Sequence, residues 1–247
     1  ENLQRDLSGD FPRLGNPNLD PQKTVAYEFG LEHALTDHLR TGLTGSYKKI
    51  SNLTSISQIQ YPGGSYSMFT NADFGTVRSI EFFMRRDISR ILSGSLNYTF
   101  SHAEGTAPSP QETSSIRPSA RNQTVIPILN VFPMAFDQRH TMSGVINIIT
   151  PNTWRKRFLG LPLDEWSLSI TGYYGSGLPY TPTNSLGEQT DSKPNLARLP
   201  SLINMDLRLR KRFQFRQFSY AFFTEIQNVL NHRNIISVYA NTGDPDD

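Results

Sequence analysis

Cysteine is absent from the 247-residue chain, so neither a disulfide framework nor a thiolate metal site is available to it. Long apolar runs are absent as well. Hydrophobic residues make up 36% of the chain, mean hydropathy is −0.45, and no window approaches the roughly 18 consecutive apolar residues of a membrane-spanning helix. These absences argue against a helical membrane protein. They are compatible with a membrane wall made of strands, in which half of the residues face a polar interior.

An excess of one charge and the usual catalytic motifs are also lacking. The net charge is +2, too small a surplus to predict a nucleic-acid partner. The five histidines form no HExxH pair or other metal-ligand spacing, and neither a GxSxG elbow nor a phosphate-binding glycine loop occurs. We therefore expect no metal, no cofactor and no enzymatic activity. The alternative is an outer-membrane protease or lipase whose surface loops assemble Asp and His.

Alternation of apolar and polar residues is abundant, and it is clearest in residues 203–213. Successive side chains of a strand point to opposite faces, so this segment has one apolar and one ionic face. The apolar face carries Met205, Leu207 and Leu209, and the ionic face carries Asp206, Arg208, Arg210 and Arg212. The same pattern predicts eight strands, at 24–35, 39–50, 77–86, 91–101, 140–150, 166–174, 203–213 and 219–230. Such recurrence is typical of a transmembrane β-barrel wall.

The connections between these segments alternate between short turns and long polar stretches. The long ones span about 51–72, 102–137 and 175–199, and loops of this length are uncommon in compact soluble domains. Outer-membrane barrels have short periplasmic turns and long extracellular loops, so we expect these three loops to be extracellular. The first strand then descends, and the eighth returns to the cell surface. We interpret residues 1–247 as an antiparallel, all-β arc of about eight strands of a larger transmembrane barrel.

The two faces of the predicted strands define two sets of site residues. The charged residues expected to line the lumen are Glu28, Glu32, Arg40, Glu81, Arg85, Asp206, Arg208, Arg210 and Glu225. The aromatic residues expected to face lipid and form interfacial girdles are Tyr27, Phe29, Tyr47, Phe82, Tyr98, Phe100, Trp166, Tyr174, Phe213, Tyr220 and Phe222. The competing interpretations are that the charges only hydrate a wide interior, and that the aromatics form the core of a soluble β-sandwich.

The long loops contain the candidate ligand-binding residues. Tyr61, Tyr66 and Phe69 are spaced by a pair of glycines and are candidates to stack on a ligand such as a sugar or a siderophore. Arg117 and Arg121, together with Arg139 and His140, are candidates to recognise an anionic ligand or the phosphates of lipopolysaccharide. For the aromatics, the alternative is that they pack the loop against itself.

Several local strings resemble the C-terminal part of the barrel of TonB-dependent outer-membrane receptors. They are Asn16-Pro17-Asn18-Leu19-Asp20-Pro21 before Tyr27-Glu28-Phe29-Gly30-Leu31, Ser79-Ile80-Glu81-Phe82, Asp137-Gln138-Arg139-His140, Gly177-Leu178-Pro179-Tyr180-Thr181, Leu199-Pro200-Ser201 through Phe213, and Asn228-Val229-Leu230-Asn231. Ser79 departs from the family's usual glycine. The strings occur in order along nearly the whole chain. The resemblance implies that residues 1–247 supply roughly strands 14 to 21 of a barrel of 22.

The resemblance also implies a function and partners. The family takes up nutrients of the siderophore, cobalamin, oligosaccharide or peptide class, through capture by extracellular loops and displacement of a plug domain. The expected partners are the lipid and lipopolysaccharide of the bacterial outer membrane, the nutrient, and TonB, which is recruited by an N-terminal region that this sequence does not contain. The alternative function is a non-transporting barrel anchor that presents surface loops for adhesion or for assembly with a partner.

Overall fold

A computed structural model of the chain describes residues 13–61, 64–87, 91–106, 131–190 and 193–246, and within these ranges the side chains of residues 13, 56–61, 64, 65, 72 and 158 are left undescribed. The strands in chain order are β1 (Arg13–Leu14), β2 (Lys23–Thr36), β3 (Leu39–Tyr61), β4 (Gly64–Arg86), β5 (Leu92–Gly105), β6 (Phe132–Pro133), β7 (His140–Ile149), β8 (Arg157–Phe158), β9 (Leu161–Pro162), β10 (Trp166–Gly175), β11 (Pro179–Tyr180), β12 (Ala197–Arg198), β13 (Leu202–Phe215) and β14 (Phe218–Ile226). No described residue belongs to a helix with the length and hydropathy that a membrane crossing requires.

The eight long strands form one antiparallel sheet in which strands adjacent in the chain, apart from the short ones, are adjacent in space. The order is β2-β3-β4-β5-β7-β10-β13-β14, without crossovers. Among the described residues β2 and β14 are not paired with each other, so the barrel is not closed within this chain. The predicted all-β, antiparallel fold is confirmed, and each of the eight predicted strands is present, although the last one ends at Ile226 rather than at 230.

The stretch 51–72 differs from the irregular loop that we expected, because it continues as strand. β3 runs on to Tyr61 and β4 starts at Gly64, so that the two form a ribbon of 23-residue strands. The register shifts between Ile50 and Leu53, where Asn52 has a φ of 59°. An irregularity of this kind shifts the phase of the side-chain alternation. A strict alternation of apolar and polar residues therefore does not continue past this point, and the sequence pattern did not predict the rest of the strand. Each strand is more than twice as long as the roughly 9 to 11 residues that a transmembrane strand needs.

The other two predicted loops contain short strands. Within 102–137, β5 continues to Gly105 and pairs there with β6. Within 175–199, β11 and β12 pair with each other. At the opposite end of the strands, β8 and β9 form a small hairpin in the connection between β7 and β10.

The sheet buries almost none of its apolar residues. Among the described residues, the buried apolar side chains are Ala103, Phe132 and Met134, all near the end of the sheet that carries the long connections. In the middle of the sheet Ile146 is 49% exposed although its strand has neighbours on both sides. Within the described ranges no second large sheet covers this face, so the sandwich alternative is wrong.

Candidate functional site

The register places every predicted girdle residue on the same face of the sheet. Side chains of directly paired residues share a face, and one row across the sheet runs Leu31, Leu43, Phe82, Tyr98, Met142, Tyr174 and Ile203. Trp166, Phe213, Tyr220 and Phe222 lie at the end of this apolar face near the short turns. Tyr27, Tyr47, Phe100 and Tyr174 lie towards the end with the long connections, which we call the loop end. That these aromatics contact lipid stays a prediction.

The opposite face carries all nine predicted lumen charges. One row on this face contains Arg40, Arg85 and Ser95, on β3, β4 and β5. A second pairs Thr171 with Asp206, on β10 and β13, and a third contains Ser169, Arg208 and Glu225, on β10, β13 and β14. Between the charges lie mainly Ser, Thr, Asn and Gly, which makes the face hydrophilic. A face of this composition is suited to water, so the lumen-lining role stays the prediction that fits it best.

Ion pairs on the polar face involve two residues that the sequence did not single out. Lys48 lies 3.7 Å from Glu28, and Asp87 accepts hydrogen bonds from Arg40 at 3.4 Å and Arg85 at 3.3 Å. Arg40 and Arg85 are directly paired across β3 and β4, so Asp87 offsets the repulsion between them. All five side chains are at least 39% exposed, so these pairs contribute little to stability and mainly set the local charge.

Lys211 is a buried cation on the apolar face. It pairs with Trp166 and Phe222 in the sheet register and is 5% exposed. Its Nζ donates to the carbonyl oxygen of Asp164 and lies 3.0 Å from the Asp164 carboxylate. The side-chain hydrogen bond from Lys211 is the main reason why the pKa of the Asp164 carboxyl group lies below its ordinary value. Pairing with Asp164 removes the cost of leaving an isolated ammonium group on an apolar surface.

Asp137 holds the loop end of the sheet together. Its buried carboxylate accepts a hydrogen bond from the backbone N–H of Ala103 at 2.7 Å and pairs with Arg139 at 2.7 Å and with Arg198. Arg198 also donates to the carbonyl oxygens of Asp137, at 2.7 Å, and of Gly177, at 3.1 Å. We call Asp137, Arg139 and Arg198 with these backbone partners the loop clamp. It joins β5 to the connection that precedes β7 and to the connection that follows β10.

The clamp keeps Asp137 ionised. Burial alone would raise the pKa of this carboxyl group, but the Ala103 N–H and the guanidinium groups of Arg139 and Arg198 outweigh it and hold the pKa below its ordinary value of 3.8. Two arginines therefore compensate one buried carboxylate. Arg139, one of the cations considered for binding an anionic ligand, is part of this structural network.

Neighbouring residues of the string Asp137-Gln138-Arg139-His140 extend the clamp. Gln138 Nε2 donates to the Ser176 carbonyl oxygen at 2.9 Å, and the His140 backbone N–H donates to Ser176 Oγ at 3.0 Å. The His140 ring lies 2.8 Å, through Nδ1, from the Tyr98 hydroxyl group. Gln138 and His140 thus link the start of β7 to β5 and to the connection after β10.

The predicted aromatic cluster in the ribbon is not brought together as a single surface. Tyr66 pairs with Ile59 and Phe69 with Ile56 in a regular stretch of register, so the side chains of Tyr66 and Phe69 lie on opposite faces of the ribbon. Tyr61 ends β3, and its side chain lies outside the described residues, as do Arg117 and Arg121 entirely. As ligand-binding candidates these residues stay predictions.

The asparagine-proline string before β2 fastens the base of the ribbon. Asn16 Nδ2 donates to the Phe69 carbonyl oxygen at 2.9 Å, and β1 pairs with β4 in parallel. Asn71 accepts a hydrogen bond from the Asp20 backbone N–H at 2.8 Å and donates to the Asn52 carbonyl oxygen at 2.9 Å. The ribbon is therefore held at its base by the segment that precedes β2.

Among the residues that the structure describes, no group of three or more His, Asp or Glu side chains is arranged to hold a metal ion. The polar face and the loop clamp contain charges and hydrogen-bond donors, but the clamp groups are paired with one another. The charges and hydrogen-bonding groups of the polar face are suited to contact with water and polar solutes.

Comparison with known proteins agrees with this geometry. Residues 2–229 match the family described as TonB dependent receptor-like, beta-barrel, and the chain belongs to this family. It is a family of receptor and transporter barrels of the bacterial outer membrane, not a family of enzymes. The chain is also similar to the crystal structure of the outer membrane transporter YddB from Escherichia coli, with a TM-score of 0.60 and 14% identity. That similarity covers 92% of this chain and 31% of YddB. No curated protein matches the chain.

Proposed function

We propose that this chain forms part of the wall of a TonB-dependent transporter that takes up a nutrient too scarce or too bulky for passive pores. The observation that carries the proposal is that nine charged residues lie on one face of an eight-stranded arc whose other face is mainly apolar. A narrow barrel used only as an anchor fills its interior with packed side chains. A polar face with widely spaced charges favours a wide, hydrated interior.

The loop end fits the capture step of such a transporter. The loop clamp holds the connections around β7 and β10 at fixed positions, and the ribbon of β3 and β4 extends far beyond the span that the other strands share. Fixed loops at the mouth of a wide interior lower the entropy lost when a ligand binds. In this proposal, capture at the loop end precedes entry along the polar face, with energy supplied through TonB.

Growth under nutrient limitation tests the proposal in cells that express the full-length receptor. Strains lacking the receptor, lacking TonB, or lacking neither are grown with ferrichrome, vitamin B12, maltohexaose or an oligopeptide as the limiting source. We expect the receptor deletion to reproduce the TonB phenotype on one of these sources. Normal growth of the receptor deletion on all four sources, combined with loss of cell adhesion or of a co-purifying partner, would contradict uptake and favour the anchor.

A further inference from the structure

The connection between β7 and β10 contains a small hairpin with an unusual tip. β8 and β9 pair through Arg157 with Pro162 and through Phe158 with Leu161, which leaves Leu159 and Gly160 as a two-residue turn. Both turn residues have positive φ, 48° and 82°, as in the type I′ turns that usually carry Asn-Gly. A leucine in the left-handed region is less favourable than one in the right-handed region, because its Cβ approaches the following carbonyl oxygen too closely.

The tip of this hairpin is apolar and exposed. Leu159 is 88% exposed and Leu161 is 54% exposed. In water, a leucine at this position is unfavourable both in conformation and in solvation. Contact with an apolar phase would offset the solvation cost, so the tip is suited to insertion between lipids.

Three basic residues directly precede the apolar tip in the chain. Arg155, Lys156 and Arg157 are all exposed, and within the described part of the chain none of them forms an ion pair. Lys156 Nζ lies over the Trp154 ring at 5.9 Å. The nearby carboxylate of Asp164 is already paired with Lys211. The hairpin and its lead-in therefore carry three cations and a tryptophan close in sequence to two exposed leucines.

Hydrogen bonds place this hairpin beside the apolar face rather than beneath the polar one. The indole Nε1 of Trp166, which lies on the apolar face, donates to the Pro162 carbonyl oxygen at 2.9 Å. Lys211, on the same face, binds Asp164 just after the hairpin. The hairpin is thus anchored at the short-turn end of the surface that is expected to contact lipid.

We propose that the hairpin of residues 154–163 docks on the surface of the bilayer, with Leu159 and Leu161 among the acyl chains and Arg155, Lys156 and Arg157 on the phosphates of anionic phospholipids. Charge complementarity and the position beside the apolar face favour this occupant over a protein partner. On the short-turn side of the outer membrane these lipids are those of the periplasmic leaflet. The hairpin would then fix the depth and tilt of this part of the wall.

A spin label at the tip tests the proposal in the full-length receptor. The chain has no cysteine, so Leu159→Cys introduces a unique labelling site once any cysteines elsewhere in the receptor are replaced by serine. The labelled receptor is reconstituted in nanodiscs of phosphatidylcholine alone or with phosphatidylglycerol. Collision rates with oxygen, which partitions into lipid, and with a water-soluble nickel chelate report the depth of the label.

Leu186→Cys is the matched control. Leu186 is 81% exposed and also precedes a glycine with positive φ, but it lies in the connection at the loop end. We expect the Leu159 label to become oxygen-accessible and chelate-protected when phosphatidylglycerol is present, and the Leu186 label to stay in water in both lipids. Equal behaviour of the two labels, or a Leu159 label open to the chelate in both lipids, would overturn the proposal.

Charge variants separate headgroup recognition from simple apolar insertion. Each cation near an anionic membrane contributes roughly fivefold to association, so Arg155→Gln, Lys156→Gln and Arg157→Gln together should shift the docked-to-undocked ratio on the order of 100-fold. Arg155→Lys with Arg157→Lys keeps the charges and should retain docking. Heat-modifiable gel migration confirms that each variant is folded. A label that stays equally deep in the glutamine variant would refute the headgroup contact.

Discussion

At the scale of single residues, Asp137 shows how a buried charge organises the loop end. Its carboxylate has one backbone and two guanidinium partners, contributed by residues as far apart in the chain as Ala103 and Arg198. Removing a buried partner leaves charges without compensation, which costs more than the net contribution of the pair. The clamp is therefore sensitive to substitutions that leave the strands unaffected.

Asp137→Asn should destabilise the loop end while preserving the sheet. Arg139 and Arg198 are each about a third exposed, so we expect a loss of about 2 to 4 kcal/mol, somewhat less than the roughly 3 to 5 kcal/mol of a fully buried pair. The measurement is the midpoint of heat-modifiable gel migration together with protease cleavage in the connections around β7. Asp246→Asn is the control, since Asp246 pairs with Arg233 on the surface. Equal effects of the two substitutions would contradict the clamp.

The same carboxylate predicts a pH dependence. Its pKa in the folded protein lies below 3.8, so its stabilising contribution is complete above about pH 4 and is lost as the pH falls through the folded pKa. The difference in unfolding midpoint between the native receptor and Asp137→Asn should stay constant from pH 8 to about pH 5, because the carboxyl group is ionised in both the folded and the unfolded state over this range. Below about pH 4 the difference should shrink. A difference that already declines between pH 7 and pH 5 would refute this assignment.

For single residues, the sequence predicted the face of the sheet on which a side chain lies, but not the residue with which it forms an ion pair. Local alternation was enough to assign Asp206 and Arg208 to the polar face, since neighbouring residues of a strand must point to opposite sides. Nothing local indicated that Arg198 would meet Asp137 across 61 positions, or that Lys211 would lie on the apolar face paired with Asp164. Those contacts depend on how connections that are distant in sequence pack together at the ends of the strands.

At the scale of elements, the two faces of each strand make opposite demands on a charged side chain. Ile146 and Asn147 are neighbours on β7, with Ile146 in the apolar row beside Ile170 and Asn147 in the polar row beside Ser169. The row of Ile146 continues through Leu207 to Ile226, which makes it a central position of the apolar face.

Ile146→Arg should therefore impair membrane insertion, and Asn147→Arg should not. An arginine on the lipid side of a barrel costs roughly 2 to 4 kcal/mol near the bilayer midplane, whereas an arginine on the lumen side is solvated. Heat-modifiable migration and the yield of folded receptor in outer-membrane fractions measure the difference. Equal insertion of both variants would mean that the apolar face does not contact lipid.

The ribbon of β3 and β4 marks the limit of prediction from strand periodicity. Residues 39–50 and 77–86 were recognisable because their alternation is unbroken. Beyond them, the register shift at Asn52 changes the phase of the alternation, and β1, Asn16 and Asp20 bind the side of the continuing ribbon. Such support comes from residues distant in sequence, so periodicity within the segment did not reveal it.

At the scale of the whole molecule, the ribbon and the wall have separable roles. Excising residues 56–69 and joining Ser55 to Thr70 through an Asn-Gly turn shortens the ribbon without disturbing the strands of the wall, since Ser55 and Thr70 are paired. We expect normal insertion and heat-modifiable migration. If the ribbon captures ligand, growth on the nutrient identified for the receptor should fall to the level of the receptor deletion. Unchanged growth would mean that capture depends on other loops.

The sequence by itself determined that the chain is an antiparallel wall with one apolar and one charged face, because side-chain direction in a strand follows from local geometry. It also carried the strings by which the family resemblance was recognised. Only the tertiary structure decided which charges meet, that the stretch 51–72 is a ribbon, and where the basic hairpin lies. Those features arise from contacts between segments far apart in the chain, whose geometry is set by register and by the path of the connections between strands.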